Sequence, residues 1–267
     1  MNARILARMF LIYNSICVLG PSNSRACSKP FRLQFNRVNR ITLSRQRTAP
    51  KITRPAEVDD LMPTGPTVSI AASSEDTKPL ADAVQRAGGS PLALSQDSMH
   101  SDGNALVGGH ALVLAADDDP GHLALARAAL EMDMPLLAIG DGLHTLNLAL
   151  GGGPAAPVEG HGPEGETSAY HRIYIAPGSK LAAVVGSGGF VRVNSRHDLS
   201  VHEVGKSPYL LASAYSLEDG KIEALESPDH GWVIGVQFRP ERRLEIPPHF
   251  DRLFQSLVER GERNAAA

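Results

Sequence analysis

The sequence predicts a three-layer α/β domain, with a mostly parallel sheet flanked by helices and antiparallel strands added towards the C-terminus. Three observations carry that expectation. Ala111–Ala115 (ALVLA) and the run MPLLAI ending at Ile139 are short and continuously apolar, as strands covered on both faces are. Between Pro66 and Gly153 such runs alternate with segments of helical periodicity, which implies βαβ units. Beyond Gly153 the texture changes to closely spaced short strands, with a turn at Asp219-Gly220.

The 267 residues can build one large domain, and 42% hydrophobic with 21% charged residues fits a globular chain. The net charge of −3 hides a division. Residues 1–56 hold nine Arg, two Lys and no acid, whereas the remainder carries −14. An acidic body gives no reason to expect nucleic acid as a partner. Both cysteines, Cys17 and Cys27, lie in the basic stretch, so neither a disulfide framework nor a CxxC metal site is expected. The apolar run Met9–Leu19 is broken by Asn14 and Ser15 and is too short to cross a membrane.

Residues 1–61 are therefore set apart as a basic leader, expected to be disordered. It reads as a cleaved targeting segment, less well as a secretory signal, or as a start assigned too early with Met62 the true one. The expected location is cytoplasmic if translation starts near Met62, and organellar or exported if the leader is real.

Within the domain, placed at 62–260, Thr67–Ala72 reads as a strand and Asp76–Ala87 as a helix closed by Gly88-Gly89. Ser90–Leu94 is a short strand. Pro120 starts a helix through Met132, with Leu123, Ala126 and Leu130 on one face. After MPLLAI comes Gly140-Asp141-Gly142, then Leu143, Leu146, Asn147 and Leu150 at helical spacing, closed by glycines. That is a strand, a sharp turn and a helix. Residues 154–169 read as an exposed loop. Strands are expected near Arg172–Ile175, Ala182–Val185, Val191–Val193, Tyr209–Ser216, Lys221–Ser227 and Trp232–Phe238. Pro247–Arg260 reads as a closing helix burying Phe250, Leu253, Phe254 and Leu257, and 261–267 as a disordered tail. Gly186, Gly188 and Gly189 form a turn, since no helix follows to make a phosphate loop.

A strand-turn-helix elbow lifts one residue above the sheet beside a helix N-terminus, the usual seat of a nucleophile. Here that residue is Gly140. Four segments in order, PLLAIGDGLHTLNLALGG from Pro135, VNSRHDLSVHEVG from Val193, DGKIEALESPDH from Asp219 and GVQFRPE from Gly235, resemble the class I glutamine amidotransferase-like superfamily. The nearest branch is the gamma-glutamyl-gamma-aminobutyrate hydrolase-like (gamma-glutamyl peptidase) family, over roughly residues 66–260. The resemblance implies a flavodoxin-like sheet order and a cysteine-dependent hydrolase or amidotransferase. It also places a Cys at the elbow, activated by the His and supported by the Glu of an H-P-E segment.

Carried onto this chain, the nucleophile position is Gly140 and the base position Arg239, and only Glu241 stands as in the family. Arg is protonated at any ordinary pH and cannot serve as a base. Asp141 follows the apex where an oxyanion would develop, and a carboxylate there is repulsive. Ala115-Ala116 replace the family's Gly-Gly oxyanion loop. Loss of nucleophile or base alone costs on the order of 10⁶ in kcat. The expectation is a degenerate, non-catalytic member, a pseudoenzyme, with glycine relieving the strain of the apex.

Such a member would bind a small gamma-glutamyl or amino-acid-like ligand, with Arg239, Asp141 and His197 as candidate contacts, or would serve a protein partner or a second copy of itself. The bland counterpart is that Arg239 pairs with Asp141 or Glu241 and fills the site. The alternative function is a hydrolase of gamma-glutamyl amides that activates a water with Glu241 and His197. His144, in place of the family's Gln, is expected to cap or pack. His197 and His202 with Asp198 between them raise a metal reading, but no third ligand follows at a convincing spacing, so neither metal nor cofactor is expected. Asp117-Asp118-Asp119 read as a solvated acidic loop.

Overall fold

The computed structural model describes residues 65–95 and 104–266, all within the compact unit Leu61–Ala267. The expectations for the leader at 1–61 lie outside the described residues. Eleven strands and five α-helices follow one another in the described chain. The strands are β1 Thr67–Ala72, β2 Ser90–Ala93, β3 Ala111–Ala115, β4 Leu136–Ile139, β5 Ala156–Pro157, β6 Ala169–Ile175, β7 Gly189–Ser195, β8 Leu199–Ser200, β9 Leu211–Ser216, β10 Ile222–Glu226 and β11 Val233–Val236. The helices are α1 Ser74–Arg86, α2 Pro120–Glu131, α3 Asp141–Ala149, α4 Lys180–Val185 and α5 Arg252–Ala265.

Nine strands form one sheet in the order β2-β1-β3-β4-β11-β10-β9-β6-β7, and β5 pairs with β8 apart from it. The five strands from β2 to β11 are parallel, and every pairing from β11 to β7 is antiparallel. This is the expected architecture: a parallel sheet extended by an antiparallel wing.

The apolar runs explain the three layers. Ala111, Val113 and Ala115 of β3, with Leu137 and Ile139 of β4, join the core under α1, α4 and α5. Leu112, Leu114, Leu136 and Ala138 point the other way, into the core under α2 and α3. Successive side chains of a strand face opposite sides, so a strand covered on both faces has no polar position. Each Val or Leu so buried stabilises the fold by about 1.5–3 kcal/mol.

Residues 154–169, expected to be an exposed loop, contain β5 and the buried His161 and Ser168, and β8 was not foreseen. Two helical elements differ as well. Residues Ala182–Val185 lie in α4, not in a strand. Ser179 caps that helix by accepting from the Ala182 N–H (3.0 Å), and Gly186 ends it in the left-handed region at φ 91°. The caps at both ends outweigh the β preference of two valines. The closing segment starts as a 3₁₀ turn at Pro248–Asp251 and continues as α5 to Ala265, so residues 261–265 are helical and the expected tail is not. Gly261 is buried there against Pro66 and Ala111. The Asn264 amide donates to the His110 carbonyl (3.1 Å) and holds the last turn down.

Candidate functional site

The elbow is built as its sequence implies. Ile139 ends β4 in the middle of the parallel sheet, and Gly140 turns the chain at φ 56°, ψ −119°, a conformation open to glycine and strained for other residues. Its N–H donates to the Val236 carbonyl of β11 (2.9 Å), and its carbonyl accepts from Leu143 N–H (3.0 Å), starting α3. Gly142 is also required. A β-carbon there would run into the Leu114 carbonyl of β3, so its absence lets α3 lie against the sheet. Thr145 fastens the loop after β3 to this helix, its hydroxyl 2.9 Å from the Asp117 carbonyl and 3.1 Å from that of Ala116.

Arg239 lies over the apex. A β-carbon on Gly140 would stand 3.3 Å from its Nη1. The guanidinium is 12% exposed and carries two ion pairs. Nε donates to Glu241 Oε1 (2.6 Å), and Nη2 meets Asp76 Oδ1 in the first turn of α1. The backbone of Arg239 is fixed as well, its N–H donating to Asn194 Oδ1 (2.9 Å) while the Asn194 amide donates to its carbonyl (3.1 Å). Burial would lower the Arg239 pKa, but the charges of Glu241 and Asp76 override it and raise it further. Burial pushes the Asp76 carboxyl up, and Arg239 outweighs that and holds it below its ordinary value. The group over the apex is a permanent, internally neutralised cation.

The structure thus brings Gly140, Arg239 and Glu241 together, and adds Asp76. The only sequence signal for Asp76 was its place in the first turn of a capped helix, where Ser73 accepts its N–H (3.3 Å). Of the two pairings expected for Arg239, that with Glu241 forms. Asp141 instead points its half-exposed carboxylate towards His144 Nδ1 (3.6 Å). His144 packs in the core, its Nε2 accepting from the Gln237 amide (3.0 Å), and burial lowers its pKa. The acidic loop is tied at both ends. Asp117 contacts His122 Nδ1 (3.0 Å), and Asp119 caps α2 through the Gly121 N–H (2.8 Å).

His197 does not join Glu241 in the ion pairs of Arg239. It belongs to a second buried cluster with His161, His171 and Glu223. Nor does His202 join it, since His202 Nε2 faces Lys221 Nζ (3.3 Å). The third ligand that the sequence did not offer near His197 is supplied from distant segments by the fold. Burial lowers the His197 pKa to about 4. Burial would raise that of Glu223, but the facing His161 and His171 bring it down to about 2.

Peptidase C26 is the family whose model matches this chain, over residues 113–241. A Schizosaccharomyces pombe protein named "Putative glutamine amidotransferase" is 30% identical over 71% of this chain and 83% of its own length. The gamma-glutamyl-gamma-aminobutyrate hydrolase PuuD of Escherichia coli is 32% identical over 47% of this chain, which spans only 54% of that protein. Among solved structures, a glutamine amidotransferase from Methylobacillus flagellatus superposes with a TM-score of 0.56 over 75% of this chain and 95% of its own, at 15% identity.

Proposed function

Because the chain belongs to the Peptidase C26, class I glutamine amidotransferase-like family, we propose that it is a member without cysteine-dependent catalysis, a binding or partner module on an amidotransferase fold. One observation carries this reading. At the elbow, where acyl transfer needs a nucleophile and a base, Gly140 has no side chain and Arg239 lies across it between Asp76 and Glu241. A guanidinium in two ion pairs neither takes a proton from an attacking group nor gives one to a leaving amine near neutral pH. The Asp141 carboxylate at the start of α3 opposes negative charge developing at the elbow.

The ion pairs also bear on the ligand. With Nε on Glu241 and Nη2 on Asp76, a gamma-glutamyl or amino-acid carboxylate at the elbow meets a guanidinium that is already neutralised, which weakens its pull on such a ligand and leaves a protein partner as the occupant we favour. The test is ammonia and amine release by the full-length protein from glutamine and a panel of gamma-glutamyl amides. No turnover above the uncatalysed rate is expected. Turnover abolished by Glu241→Ala would overturn the reading and assign the site a water-activating mechanism.

A further inference from the structure

The cluster around His197 has its own chemistry, independent of the elbow. Its residues come from four separate segments. His161 follows β5, His171 lies on β6, His197 follows β7, and Glu223 lies on β10. The loop with His161 is pinned by its carbonyl, which accepts from the Ser195 hydroxyl (2.7 Å) and the His197 N–H (3.2 Å).

The protons on two of the rings are fixed by their outer partners. His197 Nδ1 lies 2.9 Å from the Leu199 carbonyl, which can only accept, so Nδ1 carries the hydrogen and Nε2 a lone pair. His161 Nε2 lies 3.2 Å from the Asp219 carboxylate, so Nε2 carries a hydrogen and Nδ1 faces inward. His161 Nδ1 and His197 Nε2 face each other at 3.3 Å. Glu223 Oε1 stands 3.4 Å from His161 Nδ1 and 3.7 Å from His197 Nε2. Three groups able to ligate a cation converge here.

His171 adds a second, separate observation. It is 7% exposed and Glu223 is fully buried, yet neither nitrogen of the one nor either oxygen of the other has an aligned hydrogen bond. Buried polar atoms are normally paired, and leaving four unpaired in one place is costly. His171 Nε2 is 3.2 Å from Glu223 Oε1. A proton on His161 would satisfy one contact and leave His171 and the second Glu223 oxygen as they are.

We propose that this cluster is a structural site for a divalent transition metal of the zinc class, held by His161 Nδ1, His197 Nε2 and Glu223 Oε1, with His171 against the Glu223 carboxylate. The distances suit that ion. A tetrahedron with metal–ligand bonds of about 2.0–2.1 Å has edges of about 3.3–3.4 Å, the separations already present between His161 and its two neighbours. Two imidazoles and one carboxylate are ligands that zinc takes. The outer contacts have the form a ligating histidine requires, its second N–H given to a carboxylate or a carbonyl. The Glu223 and Asp219 carboxylates together balance the charge of a divalent ion. The three ligands come from the segments after β5 and β7 and from β10, so the ion braces the antiparallel wing.

Full-length protein without a polyhistidine tag, expressed with zinc in the medium, is expected to carry about one equivalent of metal by elemental analysis. Stripping with a chelator lowers Tm, and adding Zn²⁺ restores both Tm and stoichiometry. His161→Gln abolishes uptake. Asp219→Asn keeps all three ligands, changes only a partly exposed outer group, and weakens Zn²⁺ affinity 10–100-fold against a chromophoric chelator. That variant tests the site even if His161→Gln does not fold. No Zn²⁺ uptake by the folded, stripped protein, or uptake unchanged in Asp219→Asn, overturns the proposal and leaves the cluster held by a proton.

Discussion

At the residue scale, the elbow depends on two glycines for different reasons. Gly140 supplies a positive φ and Gly142 supplies space, since any β-carbon at 142 meets the Leu114 carbonyl. Backbone cannot yield as a flexible side chain can. Gly142→Ala is expected to cost about 1–3 kcal/mol, the usual penalty of overpacking, read as a lower denaturant midpoint at unchanged slope. Asp76 acts through charge. Its folded pKa lies below the ordinary 3.8 because Arg239 outweighs burial. A depressed carboxylate contributes stability that is present above 3.8 and is lost as pH falls through the folded value. Asp76→Asn is expected to be less stable than the parent at neutral pH, and the gap should narrow as pH drops below 3.8. Tm measured against pH checks both. Gly140, Arg239 and Glu241 could be read from the sequence because each sits in a short motif, whereas Asp76 lies more than sixty residues upstream.

At the element scale, the parallel half was legible because its strands are buried on both faces and leave uninterrupted apolar runs. Helix α4 was not legible. At six residues it is too short to show a period, and its valines argue for a strand. Caps and tertiary packing decide its state: Leu181, Ala182 and Val185 are buried against α5 and the sheet. Ser179→Ala removes the side-chain acceptor for the Ala182 N–H and is expected to cost about 1 kcal/mol. Thermal unfolding monitored by circular dichroism measures it. Helix α5 ran past its expected end for a related reason. Gly261 reads as a stop in isolation, but a glycine can also mark where a helix touches its neighbour, and here Pro66 and Ala111 are that neighbour.

At the scale of the whole molecule, the elbow, α1 and the loop after β11 converge on one point while the second cluster joins the strands of the antiparallel wing. The two are linked through Gln237, whose amide reaches both His144 (3.0 Å) and the Leu199 carbonyl (3.2 Å) that holds His197. Catalysis at an elbow is likewise a property of the assembled site. The double variant Gly140→Cys with Arg239→His restores the two side chains of the family's chemistry but leaves Asp141 and Ala115-Ala116 in place. It is expected to bind a cysteine-directed gamma-glutamyl inhibitor covalently, yet to release ammonia at no more than about 10⁻² of the rate of an active relative, since the Asp141 carboxylate opposes the oxyanion and lost oxyanion stabilisation costs on the order of 10²–10³. Mass spectrometry and the ammonia assay separate those outcomes.

The layered α/β fold and the elbow at Gly140 could be read along the chain, because periodicity and short motifs are local in sequence. Only the tertiary structure decided that Asp76 closes the ion pairs of Arg239 and that His161, His171, His197 and Glu223 face one another. Those partners come from segments tens of residues apart, and no spacing along the chain encodes a contact that strand order alone creates.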